Sequence, residues 1–230
     1  MRSPSSINSH LALINRISAL TKSFSARKTQ KISSNLLKTL RSKLVSGLCP
    51  LLLALLLFPP SPVQAVTVEN VTFADSTAIG DKPVPLRNAA LLRYLKIIKA
   101  YVAALYLPEG TKPEDVLTDV PKRLEINYLV SIKGPDFGKG AVPTLERNQT
   151  PAELAKLQDR IDRLNSTYRD VKPGDRYALT YLPGRGTELA LNGTPLIVIE
   201  GADFAAAYFG IWLGRESIDD KLKRDLLKGR

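Results

Sequence analysis

Few side chain types in this 230-residue chain are left to do chemistry. There is one Cys and one His, Cys49 and His10, and both lie within the first 65 residues. Residues 66–230 therefore contain neither a thiol nor an imidazole. That excludes disulfides, zinc sites built on Cys or His, and Ser-His-Asp or Cys-His catalysis there. An all-carboxylate calcium site is the one metal option left open, and no cofactor is implied. Chemistry in this part must use Arg, Lys, Tyr, Asp, Glu, Ser, Thr or backbone groups. Between Leu91 and Leu107, five of these, Arg93, Lys96, Lys99, Tyr101 and Tyr106, are interleaved with apolar residues. An Arg in such a segment has three possible roles. It can meet an anion in a cleft, lie on the solvent face, or pair with an internal carboxylate such as Glu125. Lys96 and Lys99, three residues apart, point to opposite faces of a strand and read as solvated before lining a cleft, Lys99 being the weaker choice for one. Tyr101 and Tyr106 read as core aromatics before proton donors, and Tyr208 and Trp212 as core before pocket lining.

The elements that must position these groups follow from pattern. Val66 to Phe73 alternates apolar and polar residues, as an edge strand does. Leu91–Leu107 is rich in β-branched and aromatic residues and is stopped by Pro108-Glu-Gly110, which predicts one or two long strands. Thr111-Lys-Pro-Glu114 reads as a capping box opening a short helix, and Leu124 to Val130 alternates as a strand. A helix is expected from Asp136 to Asn148. A second follows the Thr150-Pro-Ala-Glu153 capping box, with Leu154, Leu157, Ile161, Leu164 and Tyr168 on its inward stripe. Strands are expected over Arg176–Leu182, Glu188–Leu191 and Leu196–Ile199, the last two joined by Asn192-Gly193, the best hairpin turn in the sequence. Gly184-x-Gly186 lies between strands and lacks the fuller glycine pattern, so it reads as a turn and not a phosphate loop. Asp203 is expected to cap an apolar helix over Phe204–Leu213, and Ser217 a final charged helix. Hairpins in place of alternating βα units predict one α+β domain, an antiparallel sheet covered by helices.

Charge separates the chain into two parts. The formal net charge is +11, from 33 basic and 22 acidic residues. Residues 1–65 hold nine basic residues and no acid, which leaves 24 basic against 22 acidic residues over 66–230. A domain-wide basic footprint for nucleic acid is therefore absent. The apolar run Leu51–Phe58 follows the basic stretch Lys38–Lys43 and precedes Val63-Gln-Ala65, the order of a cleaved signal segment. Eight apolar residues are too few to span a bilayer, so no stable membrane span is expected after cleavage. Residues 1–37 are Ser-rich and basic, as a plastid transit peptide would be. The expected division is a targeting segment over 1–65 and a folded domain over 66–230, exported to a periplasm or thylakoid lumen, or alternatively delivered to a plastid.

Several blocks of residues 66–230 resemble one family. Leu86-Arg-Asn-Ala-Ala-Leu-Leu-Arg93 followed by Tyr101-Val-Ala-Ala-Leu-Tyr-Leu-Pro108 is similar to the opening of the chalcone isomerase-like family, in its exported bacterial and algal branch. Val171–Thr187, Leu191-Asn-Gly193, Gly201-Ala-Asp-Phe204 and Ile211-Trp-Leu-Gly214 are similar to the same branch. The resemblance implies an open-faced β-sandwich, a long antiparallel sheet covered by a helical layer with a ligand cleft between them. It also implies one of two activities: closing a phenolic enone of chalcone type, or binding a fatty acid without catalysis. On the family's pattern Arg93 matches the Arg that holds the anionic group. Tyr101 stands where the enzymes carry a Thr, Phe137 where they carry a water-binding Tyr, and Ile211 near a late-helix hydroxyl. Tyr106 joins these as a further candidate for ligand contact. With one of four polar groups kept, the resemblance favours binding of a small lipophilic, fatty-acid-like acid anchored by Arg93. The alternatives are an isomerase acting on a phenolic ligand, with Arg93 and Tyr101 catalytic, and an exported structural or assembly protein. Cleavage after Ala65 is the expected processing event: amino-terminal sequencing of protein from its native source should begin at Val66, and a retained leader would contradict it.

Overall fold

The computed structural model describes residues 65–229. The targeting segment read over residues 1–65 lies outside these residues except for Ala65. In chain order the elements are β1 (Ala65–Val68), β2 (Val71–Ala74), β3 (Ser76–Ile79), β4 (Lys82–Tyr94), β5 (Ile98–Tyr106), a 3₁₀ turn (Pro113–Asp115) and β6 (Lys122–Tyr128). They continue with α1 (Gly134–Asn148), α2 (Pro151–Asn165), β7 (Arg176–Leu182), β8 (Gly186–Leu191), β9 (Thr194–Ile199), α3 (Ala202–Leu213) and α4 (Asp220–Leu227). Strands β3 to β9 form one sheet in sequence order, with every neighbouring pair antiparallel. Strands β1 and β2 pair separately. Short β3 and Pro195-containing β9 are the two edges.

Strand β5 shows how the layers arise. Its residues alternate, as a pleated strand requires, and both sides are buried. Tyr101, Ala103 and Leu105 pack with Leu124, Ile126, Leu179 and Leu189 of the sheet and with Leu145, Leu157, Ile161, Phe204 and Phe209 of the helices. Val102, Ala104 and Tyr106 pack on the other face with Val71 and Phe73 of β2 and with Ile79, Val84 and Leu86. The stretch expected as a single strand over Val66–Phe73 is in fact the β1–β2 hairpin. Glu69 and Asn70 turn it in the left-handed region (φ 50° and 63°), a conformation that Asn tolerates better than most residues. Glu125 holds this hairpin against the sheet indirectly. Buried on β6, it accepts hydrogen bonds from Arg123 Nε (2.9 Å) and Arg176 Nη1 (3.0 Å). The Arg176 guanidinium in turn lies 4.4 Å from the Phe73 ring and donates to the Thr72 carbonyl (3.1 Å).

The long apolar segment forms two strands, β4 and β5, reversed at Leu95 and Lys96. Two irregularities in their register matter, one between Leu86 and Asn88 and one between Leu92 and Arg93. An extra residue in one strand inverts the alternation beyond it. Val84 and Leu86 accordingly face the β1–β2 layer, whereas Ala90 and Leu92 face the helices.

The helix ends divide into those set locally and those set by tertiary partners. The Thr150 capping box is present: Thr150 Oγ1 accepts from Glu153 N (3.3 Å) and the Glu153 carboxylate accepts from Thr150 N (2.7 Å). Three expected caps are not. Thr111 bonds back to the Pro108 carbonyl (2.8 Å), and only a 3₁₀ turn follows. Asp203 lies inside the first turn of α3, which starts from Gly201 (φ 101°), because Arg160 of α2 grips both its carboxylate oxygens (2.8 and 2.6 Å). Helix α4 is capped by Asp219, which accepts from Leu222 N (2.6 Å), while Ser217 bonds the Asp220 side chain. Helix α1 begins at Gly134, two residues ahead of expectation. Helix α2 ends at Asn165, so Tyr168 belongs to the connection that follows. The turn at Asn192 and Gly193 (φ 50° and 81°) is the expected tight hairpin. Gly184 and Gly186 also turn the chain between strands, and a β-carbon on Gly186 would sit 2.4 Å from the Ile199 carbonyl oxygen.

Lys122 is fully buried at the start of β6. Its ammonium donates to the Thr118 carbonyl (2.9 Å) and lies 4.5 Å from the centre of the Tyr181 ring. Burial lowers its pKa to about 8, against an upward pull from the charge of Asp119. Between pH 8 and about 10 the unfolded chain therefore holds a proton that the folded chain has released, and stability rises with pH in that window. Above it the buried tyrosines, whose pKa values are raised, reverse the slope. The melting temperature should climb from pH 8 to 9.5 in the unaltered protein and lose that climb in Lys122→Met.

Candidate functional site

A cavity of about 180 Å³ lies between the helix-facing side of the sheet and the helical layer. Strands β5, β6 and β7 supply Tyr101, Leu124, Ile126, Tyr128, Tyr177 and Leu179 to one wall. These positions are two apart within each strand, which is why they share a face. Helix α1 contributes Phe137 and Ala141, helix α3 contributes Tyr208, Ile211 and Trp212, and Tyr168 comes from the α2–β7 connection. Asp136, Gly140 and Ile218 also line it and are exposed, marking the mouth.

Aromatic packing fixes the shape of this space. Phe137 stacks on Tyr168 (ring centres 4.8 Å apart, 23° between planes) and meets Tyr128 and Tyr177 edge-on at 5.5 and 5.4 Å. Tyr101 meets Tyr128 edge-on at 5.9 Å, because the two are register partners on adjacent strands. Such edge-to-face pairs add to the gain from burial alone.

The hydroxyls differ in how fully they are used. Tyr177 Oη accepts from Arg169 N (2.8 Å) and donates to the Arg169 carbonyl (3.2 Å). Tyr168 and Tyr208 bond to each other (2.9 Å), and Tyr208 reaches Asn165 Oδ1 (3.5 Å). Tyr101 Oη accepts from Trp212 Nε1 (3.1 Å), which leaves its own proton uncommitted. Tyr128 Oη has no hydrogen-bond partner among the described residues, although Tyr128 is only 5% exposed. Burial raises the pKa of Tyr101, Tyr128, Tyr168 and Tyr208, so all four are neutral donors at physiological pH and none is a base. Among the lining residues there is no Lys or Arg, and the single carboxylate, Asp136, is exposed and paired with Lys139 (2.9 Å). The arrangement can enclose an apolar body and donate two hydrogen bonds, from Tyr101 and Tyr128, to an acceptor held within it.

The residues singled out in the sequence divide accordingly. Tyr101, Phe137 and Ile211 line the cavity. Arg93 does not. It is exposed one residue before the end of β4, where strand alternation after inward-facing Leu92 turns it away from the helices, and it pairs with Glu69 of the β1–β2 turn (3.5 Å). Lys99 is solvated, as read, and shares Glu69, while Glu125 is taken by Arg123 and Arg176 instead of Arg93. Tyr106 packs in the opposite layer and donates to the Ala74 carbonyl (3.2 Å). It lies five positions after Tyr101, and an odd spacing in a strand means opposite faces. Tyr128 and Tyr177 were missed as site residues. The signal was available, since Tyr128 continues the even-numbered series of Leu124 and Ile126.

Comparison with known proteins places this geometry. Residues 65–228 match the family model described as chalcone isomerase-like. An uncharacterized protein of Haemophilus influenzae is 29% identical over 127 residues, which are 55% of this chain and 60% of that protein, so the chain spans less than two thirds of that relative. The crystal structure of an Arabidopsis thaliana fatty-acid binding protein superposes with a TM-score of 0.56 at 15% identity, over 71% of this chain and 96% of that one. At that identity the likeness shows the fold.

The hydroxyl inventory leads to a stability test. Tyr128→Phe removes no hydrogen bond made within the described protein and should leave the denaturation midpoint nearly unchanged. Tyr168→Phe breaks the bond to Tyr208 and should cost about 1 kcal/mol, read from urea unfolding at constant m-value.

Proposed function

The chain belongs to the chalcone isomerase-like family, and from that premise we propose that it binds a small lipophilic, fatty-acid-like ligand, with Tyr101 and Tyr128 in place of Arg93 addressing the ligand's polar head. The observation that carries this is the pair of buried hydroxyl donors without an acceptor, side by side in a cavity otherwise walled by apolar and aromatic groups. The Arabidopsis structural neighbour, a fatty-acid binding protein, supports the same ligand class. The absence of a lining cation among the described residues favours binding over ring closure, in which a fixed cation would stabilise the developing oxyanion. It also bears on the form of the acid. A carboxylate buried without a counter-charge is costly, so the cavity takes the acid protonated. At about 180 Å³ it is smaller than the roughly 300–1,000 Å³ of pockets for drug-sized ligands. A short chain is enclosed whole, and a longer one extends out past Ile218. We infer further that the basic, acid-free leader and its short apolar run export the domain through a signal peptide, to a periplasm or thylakoid lumen.

Trp212 is the only tryptophan of the chain and lines the cavity, so its fluorescence reports occupancy directly. Titration with decanoic acid should give saturable binding that weakens as pH rises and the free acid ionises. Tyr101→Phe and Tyr128→Phe should each weaken it by about 5- to 10-fold, the worth of one hydrogen bond. Arg93→Ala should leave it unchanged. Loss of affinity in Arg93→Ala with the tyrosine variants unaffected would overturn the assignment.

A further inference from the structure

The end of the β4–β5 hairpin is built against the usual rule for a soluble surface. Tyr94, Leu95, Ile97 and Ile98 are 60%, 68%, 76% and 47% exposed. Four of the six large exposed hydrophobics among the described residues thus fall in one five-residue stretch; the others, Val142 and Ile218, lie elsewhere. Single exposed apolar residues are ordinary, but a contiguous set is not. The backbone is equally unusual. Leu95 and Lys96 occupy the two central positions of a tight turn closed by Ile97 N to the Tyr94 carbonyl (3.2 Å), and both are left-handed (φ 50° and 64°). Such positions favour Asn and Gly and disfavour any residue with a bulky side chain. A Leu held at the apex of this turn is displayed, not packed.

Charge indicates what the apex meets. Arg93, Lys96 and Lys99 collar the apolar residues, and the acid paired with this collar is Glu69, shared by Arg93 and Lys99. Lys96 has no ion-pair partner among the described residues. An apolar tip with a basic collar is the pattern of a segment that enters the headgroup boundary of an anionic bilayer, the apolar side chains inserting and the cations meeting lipid phosphates. We propose that the β4–β5 hairpin apex docks the protein on an anionic membrane surface. The site differs from the cavity, and the proposal does not depend on what the cavity holds. The two share a strand, since β5 runs from Ile98 at the apex to Tyr101 in the cavity wall, so a docked protein would present its cavity close to the bilayer.

The experiment uses the full chain carrying Cys49→Ser and Ile97→Cys, labelled at the new thiol with a nitrobenzoxadiazole dye that brightens in apolar surroundings. Vesicles of phosphatidylcholine and phosphatidylglycerol in a 3:1 ratio should brighten and blue-shift the dye. Pure phosphatidylcholine should require about fivefold more lipid for the same response, and Lys96→Glu about tenfold more on the anionic vesicles, an effect that 0.5 M salt erases. The same dye at Asp81→Cys should stay dark, because it sits in the turn at the other end of β4, 13 residues of extended strand away from the apex. Three results would overturn the proposal. One is no response at position 97, and another is an equal response at position 81. The third is brightening that follows protein concentration without vesicles, which would assign the apex to a second copy of the chain.

Discussion

Strand β5 has apolar side chains on both faces, and no single layer can bury both. Ala103 and Leu105 need cover on one side, Val102, Ala104 and Tyr106 on the other. The helices meet the first demand and the β1–β2 hairpin the second. Everything else about the domain is compatible with this. Each strand of the sheet pairs with its neighbour in sequence, through short turns at β3–β4, β4–β5, β7–β8 and β8–β9, while β5–β6 takes a longer connection and β6–β7 carries α1 and α2. Such local pairing keeps the loop-closure cost of building the sheet low. The Glu125 cluster completes the thinner layer by fixing Phe73 and Thr72 through one guanidinium.

The cavity follows from the same alternation applied to large aromatic residues. Tyr101, Tyr128 and Tyr177 are inward positions of three adjacent strands near their cavity ends, where the helical layer meets them with Phe137, Tyr208 and Trp212. Rings of this size fill space with their edges and faces but cannot close it completely, so a gap remains among them. The hydroxyls of Tyr177 and Tyr208 are satisfied within the protein, which holds those rings in place. The exceptions, Tyr101 and Tyr128, are adjacent because they are cross-strand partners.

Much of this was legible in the sequence, and the boundary has a physical cause. Several features specified by a few neighbouring residues were correctly read, such as the Asn192-Gly193 turn, the Thr150 capping box and the apolar helix ending at Leu213, although the Thr111 and Ser217 caps, equally local, were not. The resemblance to the family named the fold correctly and brought Tyr101, Phe137 and Ile211 to the cavity. Features decided by distant partners were not. Asp203 looks like a cap until Arg160, 43 residues away, takes its carboxylate. Arg93 looks inward until the irregularity between Leu86 and Asn88 inverts the alternation, and a bulge of that kind leaves no composition to read. Tyr106 was the avoidable error, since its spacing from Tyr101 already separated them.

Among the described residues the seven-stranded sheet has two unpaired margins, and each bears on how the protein behaves in crowded solution. Strand β3 offers only four residues, too short a template for a foreign strand to add along. Strand β9 is longer but carries Pro195, which has no amide hydrogen to donate and interrupts any continuous ladder. A protein with exposed apolar side chains at one hairpin and an aromatic hollow inside would be at risk of polymerising edge to edge. These two margins close the route by which a sheet of this kind would grow into a fibre.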